Sequence, residues 1–135
     1  MQQYIGTKII EAVPAIRQGG KVYEQGWPVP LGEGPCEKGY KVRYQDGYES
    51  WSPQAAFEEA YRPTDGMSFG LAIEAARKGH KVSRTGWNGK GMYVICRTGQ
   101  PDGRPYLMIK SAGGSFQMWE AYQSDILADD WVIVD

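Results

Sequence analysis

The sequence is poor in the residues that most often perform catalysis or hold a metal. Its 135 residues include one histidine and two cysteines. A closed zinc site usually takes four Cys or His ligands, and Ser-His or Cys-His catalysis pairs a nucleophile with a histidine. One histidine and two distant cysteines cannot form the zinc site and leave little for the catalytic pair, so we expect no metal, no cofactor and no catalytic residue.

The sequence also lacks a charge excess and a long apolar run. Fifteen Lys and Arg stand against 16 Asp and Glu, which gives a formal net charge of −1. Proteins that bind duplex DNA need a basic surface to displace counterions, so we expect no duplex nucleic-acid partner. No segment approaches the roughly 20 apolar residues of a membrane span, and no basic leader is visible. We expect no membrane partner, and two reduced thiols at Cys36 and Cys96.

Glycine and aromatic residues, by contrast, are abundant. The chain holds 18 glycines, five Trp, nine Tyr and three Phe. Part of this excess comes from an internal repeat, because segments 19–27 and 79–87 are identical at five of nine positions and both end in Gly-Trp. The repeat predicts two small related modules, 1–64 and 65–135, joined by the polar segment 62–66.

Turn signals and hydrophobic periodicity predict an α+β fold built on antiparallel sheet with tight hairpins. One main helix is expected over 68–78, with Ser68 as its N-cap and Gly79 at its end. The predicted strands of the second module are Lys81–Thr85, Met92–Arg97, Tyr106–Ser111, Ser115–Trp119 and Trp131–Val134.

Further local signals predict turns and caps. Asn88-Gly89 is a strong signal for a tight turn, and segment 112–114 favours a second hairpin. Ser124 is a suitable cap for one short turn, Asp125–Ala128. In the first module we expect strands near Tyr4–Val13 and at Lys21–Glu24, a hairpin of Tyr40–Tyr44 and Tyr48–Trp51 around Asp46-Gly47, and a short helix capped by Ser52 with Pro53 at its first position.

Segment 86–92 carries the strongest candidate binding site. Its three glycines let the backbone turn tightly and present N–H groups to an anion. Trp87 offers a stacking face, Asn88 an amide for a base edge or ribose, and Lys90 a charge for a phosphate. Together with Gly89 and Met92, these residues predict a nucleotide site. The alternative is an ordinary hairpin turn whose tryptophan lies in the core.

A second cluster lies near the end of the chain. Trp119 adds another ring, and Ser124 and Asp125 stand at a predicted helix start, where Asp125 can accept from ribose hydroxyls or an amine. Arg84 lies on a predicted strand, from which its guanidinium can reach a pyrophosphate with two N–H groups. The alternatives are a helix cap with a first-turn carboxylate, and an ion pair of Arg84 with an acidic residue. Both alternatives stay open at this stage.

The same residues carry a family resemblance. Segments 67–69, 86–92 (Gly-Trp-Asn-Gly-Lys-Gly-Met) and 123–131 (Gln-Ser-Asp-Ile-Leu-Ala-Asp-Asp-Trp) resemble a family of small phage proteins, the second type of Thoeris anti-defense protein. The resemblance covers residues 66–135. Residues 1–62 resemble an accessory module of phage proteins, through Tyr-Ile-Gly-Thr-Lys near the start and Asp-Gly-Tyr-x-Ser-Trp-Ser-Pro later.

What the resemblance implies is a sponge, a protein that binds an immune signal and holds it without cleaving it. The implied ligand is the cyclic ADP-ribose-type signal of a bacterial TIR defence enzyme, glycocyclic ADP-ribose. Cyclic dinucleotides in separate pockets would extend the role to CBASS defence. The resemblance also implies a homo-oligomer, typically a tetramer, with pockets at subunit contacts, in the cytoplasm of the infected bacterial host. The implied pocket residues are Trp87, Asn88, Trp119, Ser124 and Asp125.

One position departs from the family pattern. Tyr122 places a bulky ring just before the Gln of the last motif, where a small residue or Ser is expected, which leaves the ligand preference open.

We expect a non-enzymatic binding protein that sequesters a cyclic nucleotide. The alternatives are a structural or accessory phage protein with no nucleotide ligand, and a cyclic-nucleotide phosphodiesterase, which needs a general base or metal cluster.

Overall fold

The computed structural model of the chain describes residues 1–24, 34–99 and 101–135. The chain divides into two compact units, Met1–Tyr61 and Arg62–Asp135. Each unit holds one antiparallel sheet with one or two short helices, which confirms the predicted α+β class. The first Gly-Trp corner, Gly26-Trp27, lies outside the described residues. Within the described ranges, no helix has the length and apolar character needed to cross a membrane.

The first unit is a four-stranded sheet in the order β2-β1-β3-β4, followed by one helix. The predicted hairpin around Asp46-Gly47 is confirmed: Gly47 has a φ of +88°, and the Tyr44 N–H donates to the Tyr48 carbonyl at 2.8 Å. Glycine is favoured at such a φ because it has no Cβ. The elements are β1 (Glu11–Gln18), β2 (Lys21–Glu24), β3 (Glu37–Arg43), β4 (Glu49–Pro53) and α1 (Gln54–Ala60).

Two local predictions for this unit are wrong. The strand expected near Tyr4–Val13 begins at Glu11, which pairs with Arg43 at the end of β3, so the residues before it have no pairing strand there. Ser52 does not cap the helix, because it belongs to β4 and pairs with Tyr40. The N-cap is Pro53, with no side-chain cap hydrogen bond. Strand pairing holds Ser52 in the sheet and moves the helix start forward.

The second unit is a five-stranded sheet in the order β8-β7-β6-β5-β9. The last strand of the chain, β9, pairs with β5 and forms one edge of this sheet. The segment before the main helix joins the same edge, since Met67 and Trp131 exchange backbone hydrogen bonds at 2.7 and 3.1 Å. The elements are α2 (Phe69–Arg77), β5 (Val82–Arg84), β6 (Tyr93–Arg97), β7 (Tyr106–Lys110), β8 (Phe116–Met118), α3 (Gln123–Ile126) and β9 (Trp131–Ile133).

The main helix forms as predicted. The Ser68 hydroxyl accepts from the Leu71 N–H, which satisfies one of the free donors at the start of α2, and Gly79 follows the helix with a φ of +98°. The helix packs on the sheet through small side chains and covers Trp131, which has no exposed surface. The buried core residues of this unit are Met67, Ala72, Ala75, Ala76, Val82, Val94 and Trp131.

The sequence repeat falls on different local structures in the two units. Gly19-Gly20 joins two paired strands, β1 and β2, and both glycines have positive φ. Gly79-His80 instead joins helix α2 to strand β5. The Gly, Lys and Val that both segments share therefore follow a strand in the first unit and a helix in the second.

The predicted tight turn at Asn88-Gly89 is wrong. Strand β5 ends at Arg84 and β6 begins at Tyr93, so the connection is the longer loop 85–92. Gly91, with a φ of +76°, is the loop residue with a positive φ, and neither Asn88 nor Gly89 has one. A two-residue turn at Asn-Gly needs positive φ at both central residues. Contacts at the start of the loop, described below, draw it away from that geometry.

The predicted cap of α3 is also wrong. The helix covers Gln123–Ile126, and its N-cap is Tyr122 in place of Ser124. The Asp125 carboxylate reaches back to accept the Tyr122 backbone N–H at 3.1 Å. This bond satisfies the start of the helix from its third residue, as in a capping box. Asp125 thus supplies the capping contact that we expected from Ser124.

Candidate functional site

The candidate site is centred on the carboxylate of Asp125. Only 5% of the surface of this whole residue is exposed. Its Oδ1 accepts from Arg84 Nη1 at 2.9 Å and from Trp87 Nε1 at 3.1 Å. Its Oδ2 accepts the Tyr122 backbone N–H. Asp125 therefore ties the start of α3 to the end of β5 and to the loop that follows.

A second carboxylate, Asp130, fixes the start of loop 85–92. Its Oδ1 accepts from Arg84 Nε at 2.8 Å, and its Oδ2 accepts from the Gly86 N–H at 2.8 Å and the Thr85 hydroxyl at 3.3 Å. A Cβ at Gly86 would stand 2.9 Å from that same Oδ2. Glycine is therefore needed here to let the backbone approach the carboxylate. The loop leaves β5 in one fixed direction.

The three charged groups stabilise one another in their ionised forms. Burial raises the pKa of Asp125, but the hydrogen bonds from Arg84, Trp87 and Tyr122 outweigh burial, so its pKa lies below the ordinary value. The Arg84 hydrogen bond is the main cause of the lowered pKa of Asp130. The hydrogen bonds to Asp130 and Asp125 in turn raise the pKa of Arg84. The cluster is therefore fully charged at neutral pH.

Three tryptophans pack edge to face beside these charges. The ring centroids lie 5.3 Å apart for Trp87 and Trp131, 5.9 Å for Trp119 and Trp131, and 6.2 Å for Trp87 and Trp119. Phe69 of α2 packs against Trp119 and Trp131. Such pairs are worth about 0.5–1.5 kcal/mol each beyond their buried area. Trp131 is fully buried, whereas Trp87 and Trp119 are half-buried.

The rest of loop 85–92 packs against the β7–β8 hairpin. A side chain at Gly89 would collide with the thioether of Met92 and approach Ala112. Lys110 Nζ donates to the Gly91 carbonyl at 3.3 Å. Asn88 and Lys90 are exposed at the tip of this loop. The loop thus presents one amide and one ammonium group on a base that is fixed at both ends.

The Thoeris anti-defense 2-like domain matches residues 67–134, which is half of the chain. The chain belongs to the Thoeris anti-defense 2-like family. It is similar to Thoeris anti-defense 2 of Bacillus phage SP01, with 33% identity over 84 residues. That match covers 50% of this chain and 94% of the phage SP01 protein.

The family region contains every predicted site residue, but the structure gives these residues different positions. Arg84, Trp87, Trp119 and Asp125 lie together in the charged and aromatic cluster. Asn88, Lys90 and Ser124 are exposed around it, and Gly89 packs on Met92. A shallow cavity of about 320 Å³ is lined wholly by the first unit, including Ile16, Tyr40 and Gln54, and by none of these residues.

Sequence reasoning missed two members of the cluster in this family region. Asp130 binds Arg84 and the loop backbone, and Trp131 donates from Nε1 to the Asp125 carbonyl at 2.9 Å. The signals in the sequence that could have pointed to them are Gly86-Trp87 and the pair Asp130-Trp131 at the start of β9. The single histidine, His80, contacts the Asp135 carboxylate through Nδ1. Cys36 and Cys96 are both free thiols, as predicted.

Proposed function

We propose that this protein counters Thoeris defence by binding a cyclic ADP-ribose-type signal, glycocyclic ADP-ribose, and holding it without cleavage. Support comes from membership of the Thoeris anti-defense 2-like family and from the name of the phage SP01 relative. Such a protein acts where the signal is made, in the cytoplasm of the infected host. Cyclic dinucleotides, the signals of CBASS defence, are a second candidate ligand class.

The observation that carries binding over catalysis is the hydrogen bonding of the buried Asp125 and the half-buried Asp130. Asp125 and Asp130 each accept three hydrogen bonds, and Arg84 neutralises both. A general base works best with a pKa near the working pH. Hydrogen bonding lowers the pKa of both carboxylates, which makes them weak bases. The cluster is thus suited to hold a rigid binding surface.

On this proposal the predicted residues act in two groups. Arg84 and Asp125 form the framework, since their polar atoms already bind one another. Asn88, Lys90 and Ser124 are exposed and supply an amide, a phosphate-binding charge and a hydroxyl. The half-buried rings of Trp87 and Trp119 offer their accessible surface to a base, and Gly89 and Met92 shape the loop.

The proposed pocket is completed by a second copy of the chain, within a homotetramer. Helix α3 and its end leave three apolar side chains in solvent beside the site: Tyr122 is 78% exposed, Leu127 77% and Ile126 45%. Adjacent exposed apolar residues are typical of interaction surfaces. Sedimentation analysis should give the mass of an oligomer, and Leu127→Lys should lower that mass if the contact lies here.

A thermal-shift panel tests the proposed ligand. Cyclic mononucleotides, cyclic dinucleotides and cyclic ADP-ribose isomers are each added, and the bound ligand is then released by heat and identified by chromatography. We expect stabilisation by a cyclic ADP-ribose isomer and recovery of the intact ligand. A linear product would favour the phosphodiesterase alternative, and no shift with any nucleotide would favour the accessory alternative.

Two exposed side chains test the proposed contacts without disturbing the core. Asn88→Ala and Lys90→Ala should each weaken binding about 3- to 10-fold, the cost of one or two lost hydrogen bonds. Lys78→Ala, at the exposed end of α2, is the matched control and should bind like the native protein. Equal affinity in all three variants would remove loop 85–92 from the site.

A further inference from the structure

The five-stranded sheet has a second face besides the one under α2. Val94, Cys96, Leu107 and Ile109 point to the core or pack against it. Because side chains alternate along a strand, the residues between them point the other way. Tyr93 and Arg97 of β6, Lys110 of β7 and Phe116 of β8 therefore share the opposite surface, which we term the basic aromatic face. Cation–ring contacts among these side chains agree with that assignment.

Cations and rings alternate across this face. Lys81 Nζ and Lys110 Nζ lie 5.0 and 5.4 Å from the ring centroid of Tyr93. The guanidinium of Arg97 lies 5.2 Å from the ring centroid of Phe116, and the Tyr93 and Phe116 centroids are 6.1 Å apart. Each ring thus has a cation within the distance of a cation–π contact.

One carboxylate lies beside this face: Asp135 Oδ1 accepts the Lys81 backbone N–H at 2.8 Å, and the charge of Lys81 helps to lower the pKa of Asp135. Strands β5 to β9 contain no Asp or Glu, and all their charged residues are Lys or Arg. Among the described residues, the ion pairs found do not include the Lys81, Lys110 or Arg97 side chains. The face also leaves Phe116 40% and Met118 63% exposed. These cations and exposed rings suit a partner that carries both negative charges and flat aromatic rings.

We propose that the basic aromatic face binds single-stranded nucleic acid. Phosphates would pair with Lys81, Lys110 and Arg97, while splayed bases stack on Phe116 and Tyr93. The lysine stems are flexible, so an ammonium group that covers a ring can move to a phosphate as a base takes its place. A duplex keeps its bases stacked inside and offers the rings nothing. A second copy of the chain would bring the same set of cations to the contact.

The test is fluorescence anisotropy of the full chain with labelled 12-nucleotide single-stranded RNA and DNA, and with the matching duplex. Titrations at several salt concentrations, without cyclic nucleotide, keep the result separate from the proposed sponge function. We expect single strands to bind and the duplex to bind at least tenfold more weakly. The logarithm of affinity should fall with log salt by about 0.7 per phosphate contact.

Two matched double variants decide whether this face is responsible. Lys81→Gln/Lys110→Gln should weaken binding at least tenfold and reduce the salt slope, and Phe116→Ala should weaken binding with the salt slope unchanged. The control Lys21→Gln/Lys78→Gln removes the same charge from exposed positions elsewhere and should have little effect. Equal loss in both double variants would mean nonspecific attraction. No binding by the native chain, or oligomerisation abolished by Phe116→Glu, would also overturn the proposal.

Discussion

Arg84 is the residue on which the buried charges of the second unit depend. Its side chain is 19% exposed and that of Asp125 is 7% exposed, so neither charge is well solvated. Taking a single charge out of water is costly unless a partner compensates it. Arg84 compensates two carboxylates at once, from two N–H groups of one planar fork.

Replacement of Arg84 therefore has a predictable cost. Arg84→Met keeps much of the packing volume but leaves Asp125 and Asp130 without their cation. We expect the free energy of unfolding to fall by about 3–5 kcal/mol, the usual cost of breaking a buried pair. Hydrogen exchange of the β6 amides under native conditions measures this loss for the second unit alone. Arg97→Met, at an exposed strand end, is the control, and a loss below about 1 kcal/mol at Arg84 would contradict the role.

At the scale of elements, single glycines set where the strands reverse. The β7–β8 hairpin closes with the Ser111 N–H donating to the Ser115 carbonyl at 2.8 Å, and Gly114 in it has a φ of +95°. The neighbouring Gly113 does not have a positive φ, and a Cβ there would lie 3.9 Å from the Ser111 hydroxyl. Of these two adjacent glycines, only Gly114 has a backbone conformation that favours glycine.

This difference predicts opposite outcomes for two neighbouring substitutions. Gly114→Ala forces an L side chain into the left-handed region and should cost about 1–2 kcal/mol of stability. Gly113→Ala meets ordinary contact distances and should be neutral or slightly stabilising, because it restricts the unfolded chain. Urea unfolding of the two variants beside the native protein measures both. A similar loss at Gly113 would show that the backbone there also requires glycine.

Loop 85–92 shows how tertiary contacts override a strong local signal. Asn88-Gly89 favours a two-residue turn by its own conformational preference, a matter of about a kilocalorie per mole. Against this preference stand hydrogen bonds of Thr85, Gly86 and Trp87 to two carboxylates. Several such bonds, at about 1 kcal/mol each, outweigh the local turn. The loop consequently extends past Asn88 and reverses near Gly91.

At the scale of the whole molecule, the charged cluster makes stability depend on acid. The folded pKa values of Asp125 and Asp130 lie below the unfolded value of about 3.9, so their ionised forms favour the folded state. Their contribution is complete above about pH 5 and is lost as the pH falls through the depressed folded pKa values. Near neutral pH these two groups should therefore leave the stability of the second unit unchanged. Below about pH 4 that stability should fall.

Asp130→Asn isolates the acid dependence of one carboxylate. The variant should be less stable at neutral pH, yet its free energy of unfolding should fall less steeply between about pH 5 and pH 2, because one titrating group is gone. Denaturant unfolding at a series of pH values gives both slopes. Asp65→Asn, at an exposed position before α2, is the control and should keep the native slope. Equal slopes for Asp130→Asn and the native protein would contradict this assignment.

The second unit should also fold by itself. It has its own core under α2 and contains the whole family region, residues 67–134. The isolated segment 62–135 should therefore unfold cooperatively and keep the protected β6 amides of the full chain. Circular dichroism melting and hydrogen exchange measure the two properties. A segment that melts without a transition would show that the first unit stabilises it.

The sequence alone determined the features that depend on a few adjacent residues. These are helix α2 between Ser68 and Gly79, the turns at Gly47 and Gly114, and the antiparallel α+β class, because caps, periodicity and glycine conformation act within one or two turns of chain. The tertiary structure decided how the site is built. Asp125 and Asp130 meet Trp87 and Arg84 across 38 to 46 residues, so only the folded sheet brings them together and gives each carboxylate its role.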